Sequence, residues 1–150
     1  MLSIPRDVLV SDVMHKGVVT VPDYATVKDA AIKMLSNNIS SLVVTRKNSA
    51  IGIITDRDIV LRIIAQGKDP GMVLVREVMS SPIITVSHNS KIDEVAMLML
   101  NKKIKKLPVI DDKNNLIGML TYTDLVTAYP GYVDVLKELL KVHALASTGV

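Results

Sequence analysis

Gly52-Ile53-Ile54-Thr55-Asp56-Arg57-Asp58 and Gly118-Met119-Leu120-Thr121-Tyr122-Thr123-Asp124 share one pattern: a glycine, two apolar residues, a threonine, and an acid three residues beyond it. The agreement spreads outward from both copies. At the same offset of 66, Ile51 matches Ile117 and Val60 matches Val126. Upstream, one inserted residue near Asn114 changes the offset to 65, and Val10-Ser11-Asp12-Val13-Met14 then lies over Val75-Arg76-Glu77-Val78-Met79. Thr20-Val21, Ala31, Met34, Leu35, Ile39, Leu42 and Val44 fall on Thr85-Val86, Ala96, Met99, Leu100, Ile104, Leu107 and Val109. That makes 11 identities over residues 10–48 and 5 over 50–60, with polar or apolar character kept at most other pairs, so the chain contains an internal duplication.

Each copy predicts the same elements. Val18-Val19-Thr20-Val21 and Ile83-Ile84-Thr85-Val86 read as short β-branched strands. A helix follows over Thr26–Asn37, with Val27, Ala30, Ala31, Met34 and Leu35 on one face and Thr26 and Asp29 as its capping pair. In the second copy the cap is placed at Ser90 with Asp93, and Ile92, Val95, Ala96, Met99 and Leu100 face inward. Two strands joined by a polar turn come next, Leu42–Val44 with Ile51–Ile54, and Leu107–Ile110 with Leu116–Leu120. A second helix begins at Thr55 or Thr121.

The unit is therefore β-α-β-β-α, about 55 residues long and marginal alone. The fold class expected is mixed α/β (α+β): two such repeats packed by pseudo-two-fold symmetry, plus a C-terminal helix. The boundaries are set at residues 1–69, 70–129 and 130–150, with Gln66-Gly67-Lys68-Asp69-Pro70-Gly71 as the turn-rich linker. In the tail, Val133, Leu136, Leu139, Leu140 and Ala144 stand at helical spacing, which suits packing onto its own module or a dimer contact.

The composition narrows the function. A chain of 150 residues, 49% hydrophobic and 22% charged, is globular rather than disordered. With no Cys there is no disulfide scaffold, thiolate zinc site or cysteine nucleophile, and a cytoplasmic location is expected. The longest apolar run, Val95–Leu100, is too short for a bilayer, and Met1–Asp7 lacks the order of a signal peptide. The net charge of +3 is mild, and four Tyr as the only aromatics argue against base stacking, so nucleic acid and membrane are not expected partners.

These residues resemble the CBS domain, named after cystathionine β-synthase, present as a tandem pair (a Bateman module). Four features carry the likeness, each present in both copies or matched between them: the leading segment ending Val-x-x-Val-Met, the strand-turn Thr20-Val21-Pro22, the stretch Ile104-Lys105-Lys106-Leu107-Pro108-Val109-Ile110-Asp111, and the Gly-h-h-Thr-x-x-Asp pattern, h being apolar. The likeness covers roughly residues 6–129, and Ser41-Leu42-Val43-Val44 departs from it where the family often has Leu-Pro-Val.

The Thr-x-x-Asp pattern supports two chemistries. It caps helices, because Thr and Asp both favour first-turn positions. It also places a hydroxyl and free amides together, suited to phosphate, with a carboxylate able to accept both hydroxyls of a ribose diol. The resemblance implies an adenosine ligand, AMP, ADP, ATP or an S-adenosyl compound such as S-adenosylmethionine, in pockets shared between the copies. Thr55 and Asp58 would act with Thr85, Ser90, Lys105 and Lys106, and Thr121 and Asp124 with Thr20, Ala25, Ser40 and Ser41. Ile39, Ile104, Val43 and Pro108 would hold the adenine. Arg57, Lys105 and Lys106 set against Thr123, Ser40 and Ser41 predict that a phosphorylated nucleotide prefers the Asp58 pocket.

No nucleophile–base pair, Walker loop or Gly-x-Gly-x-x-Gly element is present, so no catalytic residue, catalytic cofactor or enzymatic activity is expected. Asp56, Asp58 and Asp124 have no histidine at ligand spacing, so no metal site is expected. Lys102 and Lys103 read as helix C-terminal lysines. The expectation is a regulatory module that senses an adenine nucleotide, forms a homodimer and signals to an unknown regulated protein. A ligand-free structural or interaction module, or a nucleic-acid-binding accessory protein, is the alternative.

Overall fold

The computed structural model describes residues 7–133 together with residues 137 and 141. In chain order the elements are α1 (Val10–Val13), β1 (Thr20–Pro22), α2 (Val27–Asn37), β2 (Ser41–Arg46), β3 (Ser49–Thr55), α3 (Asp56–Ile59), α4 (Val75–Val78), β4 (Val86–Ser87), α5 (Ile92–Lys102), β5 (Lys106–Ile110), β6 (Leu116–Thr121) and α6 (Tyr122–Ala128). A π-helical turn, Val60–Ile64, continues α3, and a 3₁₀ turn, Pro130–Tyr132, follows α6.

The elements form two three-stranded sheets, ordered β1-β2-β3 and β4-β5-β6. In each, the first strand runs parallel to the second and the second antiparallel to the third. The register breaks at matching places, between Val44 and Thr45 and between Val109 and Ile110. The hairpins differ where the inserted residue falls. β2 and β3 are joined through Lys47 and Asn48, both at positive φ, a tight two-residue turn. β5 and β6 are joined by Asp111–Asn115, where Asp111 Oδ1 accepts the amides of Lys113 and Asn115 at 2.9 Å.

That turn has a measurable acid signature. The backbone amide of Asn115, joined by its side chain, the Lys113 amide and the charge of His88, holds the Asp111 carboxyl below its ordinary value against a smaller opposing effect of desolvation. A depressed carboxylate contributes stability in full above its unfolded value and loses it as pH falls through the folded one. A carboxyl-carbon NMR titration should therefore place Asp111 below ordinary aspartates. A titration in the ordinary range would show the turn is not formed as described.

One compact unit is residues 18–84; the other takes in the described residues up to 17 and from 85 onward. The 69/70 repeat boundary in the sequence is thus not where the units divide: each leading helix is built into the other repeat's unit. In the 18–84 unit, Thr26 pairs with Leu74 as an isolated bridge, Val27 N donates to Val73 O at 2.9 Å and Val75 N to Ala25 O at 2.8 Å. In the other unit, Leu9 pairs with Lys91, and Val10 N donates to Ser90 O at 2.8 Å.

Each unit has its own core. Val21, Val27, Ala30, Met34, Leu42, Val44, Ile54, Ile63, Val75 and Val78 form one. Val10, Val86, Ile92, Val95, Ala96, Met99, Leu107, Val109, Leu120 and Leu125 form the other.

Three expectations need correction. Leu35, assigned to the inner face of α2, is 82% exposed, while Val27, Ala30 and Met34 are buried. The α5 cap is Lys91, with no side-chain cap bond, rather than Ser90. Ser90 is spent in a turn, its N–H on Ser87 O and its carbonyl on Val10 N. The first strands also start later than Val18 and Ile83, at Thr20 and Val86. In the second sheet, Pro108 has no N–H to give where Val43 N donates to Val19 O in the first, so β4 is shorter than β1. Of the tail positions, Val133 is described; Leu136, Leu139, Leu140 and Ala144 lie outside the described residues.

Candidate functional site

Both Gly-h-h-Thr-x-x-Asp copies sit at a strand-to-helix junction, and in both the threonine is the N-cap. Thr55 Oγ1 accepts the Asp58 amide at 3.1 Å, and Asp58 Oδ2 accepts the Thr55 amide at 2.9 Å. Thr121 and Asp124 repeat this at 3.1 and 2.9 Å. The capping reading of the motif is thus realised in full. Thr26 and Asp29 make the same box at α2 on the exposed surface.

The glycines have a steric role. A Cβ on Gly52 would stand 2.7 Å from Met79 Sδ and 2.9 Å from Ser80 O; one on Gly118 would stand 2.6 Å from Met14 Sδ and 3.0 Å from His15 O. Here the close approach that a strand glycine permits is made by the methionine and next residue of a leading segment. Ser80 and Ile53 exchange backbone bonds of 2.8 and 3.0 Å, as His15 and Met119 do at 3.0 Å each. The motif and the leading segment therefore interlock: glycine against methionine, and the acid against the residue after it.

That residue differs between the copies. The Ser80 hydroxyl donates to Asp58 Oδ1 at 3.3 Å, and Arg62 Nη1 lies 3.8 Å from the same oxygen while donating to Val78 O at 2.6 Å and Met79 O at 3.2 Å. Asp58 is 9% exposed, with both oxygens engaged. In the other unit, His15 Nδ1 lies 2.9 Å from Asp124 Oδ2, which also caps Thr121. Sequence reading missed His15, Ser80 and Arg62. The signal was present in the residue after each Val-x-x-Val-Met and in an arginine four residues beyond Asp58.

Within the 18–84 unit, the backbone brings Ser40 and Ser41 to Thr55: Asp56 N donates to Ser40 O at 2.9 Å, and Ser41 is the strand partner of Thr55. Arg57 is exposed, Val43 is buried in β2, Thr20 opens β1, and Ala25 and Ile39 pack against the core. In the other unit, Tyr122 N donates to Lys105 O at 3.0 Å and Lys106 is the strand partner of Thr121. Pro108 is buried in β5, Ile104 packs on the core, Thr123 is exposed on α6, Thr85 precedes β4, and Ser90 lies in the turn before α5. Lys102 ends α5 and Lys103 is its left-handed cap, as their C-terminal reading expected. Among the described residues no group of three His, Cys, Asp or Glu could hold a metal ion. No described helix is long and apolar enough to cross a membrane.

The CBS domain family model matches residues 10–65 and again 75–131, so the chain belongs to the CBS domain family, as a domain pair. An uncharacterised protein of Methanopyrus kandleri is 39% identical over 137 residues, covering 91% of this chain and 70% of that one. A crystal structure of Hypoxic Response Protein I with two coordinated zinc ions is 30% identical, with a TM-score of 0.72 over 80% of this chain and 98% of that one. The CBS domain pair of protein MJ0100, in complex with 5′-methylthioadenosine and S-adenosyl-L-methionine, is 29% identical, with a TM-score of 0.71 over 85% of this chain and 98% of that one.

Proposed function

We propose that this CBS pair is a cytoplasmic regulatory protein, not an enzyme, that binds an adenosine ligand (AMP, ADP, ATP or an S-adenosyl compound) and reports its occupancy to a protein partner through a change of conformation. The supporting observation is the duplicated Thr–Asp box, in which each carboxylate is fixed by its own cap. A pinned carboxylate needs no reordering to accept a ribose diol, and capping uses only part of its four acceptor positions. The adenosine compounds held by the MJ0100 domain pair support the ligand class. The remaining residues implied by the resemblance, Lys105 and Lys106 above all, are carried as part of this proposal.

Signalling requires that ligand bind two conformations with different affinity. Homodimer formation is part of the same proposal. An apolar groove of about 300 Å³ on the 18–84 unit, lined by Lys28, Ile32, Leu35, Ile59, Ile64 and Pro70 among others, offers surface for a second copy to cover.

A second reading, an interaction module that binds no nucleotide, is favoured by the finding that packing alone explains the motif glycines. Calorimetry and thermal shift with AMP, ADP, ATP and S-adenosylmethionine separate the two. A ligand at 100 times its Kd should stabilise by about 2.7 kcal/mol. Asp58→Ala and Asp124→Ala should each remove one binding component, and sedimentation should give twice the 16.4 kDa chain mass. No heat and no shift with any of the four at millimolar concentration would leave only the interaction module.

A further inference from the structure

The two acids occupy equivalent places but have different partners. Ser80 and Arg62 flank Asp58; His15 pairs with Asp124. Ser80 and His15 are repeat equivalents, each held to the strand by a bridge, with Ile53 and Met119 respectively. Neither serine nor arginine changes charge near neutrality, whereas an imidazole passes from neutral to cationic between pH 8 and pH 6. His15 is half-exposed at 51%, so protons reach it freely.

Titratable groups near His15 are Asp12 and Lys16 on its own segment, Tyr122 and Asp124 on α6, and Lys105 and Lys106 beside Thr121; β6 brings none, and the turn bonded to the leading segment at Leu9–Ser11 adds Lys91 and His88, the latter paired with Asp112. Carboxylate, phenol and ammonium groups of these types keep their charge over pH 6–8. Of these side-chain types only an imidazole changes charge near neutrality, and the imidazole in contact with Asp124 is that of His15.

We propose that His15 is a specificity-determining residue of the Asp124 site, giving it a proton-dependent preference for anionic over neutral adenosine ligands that the Asp58 site lacks. This rests on the reading of the acids as adenosine-ligand sites. When His15 is protonated it balances the Asp124 carboxylate and lowers the repulsion felt by a phosphorylated ligand. When neutral it brings no charge to that carboxylate.

The test measures AMP and adenosine binding by calorimetry at pH 6.0 and pH 8.0 in an Asp58→Asn background, with and without His15→Ser, which copies the Ser80 arrangement. Comparing the two proteins cancels the titration of the AMP phosphate itself. With His15, the preference for AMP over adenosine should be about fivefold greater at pH 6.0 than in the His15→Ser protein, and the two should agree to within about twofold at pH 8.0. The reverse change, Ser80→His in an Asp124→Asn background, should give the Asp58 site the same pH dependence, and it stands independently should Asp58→Asn fold poorly. Equal pH profiles with and without His15, or Ser80→His without effect, overturn the role of His15 while leaving nucleotide binding intact. Absence of binding by AMP and adenosine to the parent protein at both pH values removes the functional reading and this inference together.

Discussion

Gly52→Val should unfold on the order of 10 °C below the parent protein. The valine Cβ would stand 2.9 Å from Ser80 O, a backbone atom pinned by its own bond with the Ile53 amide, and 2.7 Å from Met79 Sδ. The sulfur can swing aside; the carbonyl moves only by opening the bridge that seats the leading segment. Overpacking of this kind costs about 3 kcal/mol, less the few tenths that a β-branched residue returns by stiffening a strand. At 2–4 °C per kcal/mol for a chain this size, the shift follows. Gly118→Val should behave alike, since His15 O and Met14 Sδ lie as close. Circular dichroism melts check it, and a Gly52→Val protein melting within a degree of the parent would show that the leading segment does not sit on the strand.

The second large effect is Ile54→Ala. Ile54 is fully buried on β3 in a core with Leu42, Val44, Ile63 and Val75, so its side chain has no solvent to retreat into and its neighbours come from three different elements or turns. Removing three carbons should cost about 2–5 kcal/mol, with the upper part favoured because walls drawn from several elements collapse poorly. Met72→Ala is the control: at 80% exposed and away from the groove it should change stability by less than about 0.5 kcal/mol. Equal losses at both positions in urea titrations would contradict the assigned core.

The elements were readable because each repeat carries two signals: short β-branched and apolar runs bounded by turns, and a three–four apolar spacing on α2 and α5. Where the reading slipped, a non-local cause intervened. Leu35 follows the apolar spacing of α2, but periodicity cannot tell a core-facing leucine from one at an exposed groove. Ser90 resembles a cap by composition, yet repeat register places Lys91, not Ser90, opposite Thr26. The Thr–Asp pairs were legible because capping acts over three residues. Their partners were not: His15 and Asp124 are 109 residues apart, and a repeat read alone does not say which copy's leading segment it will receive.

The crossing-over of the leading segments bears on how such a duplication can be divided. A cut in Gln66–Gly71 would leave a first fragment with β1, α2 and β2–β3 but without residues 75–80, whose methionine and serine close its strand edge. The second fragment would lack residues 9–15, needed at Gly118. Neither half carries a complete set of parts, so a lone repeat is an unfinished object, and two co-expressed halves should recover the native assembly only by finding each other. The gene's two copies are in this sense interdependent: after doubling, neither could be discarded without unmaking the survivor.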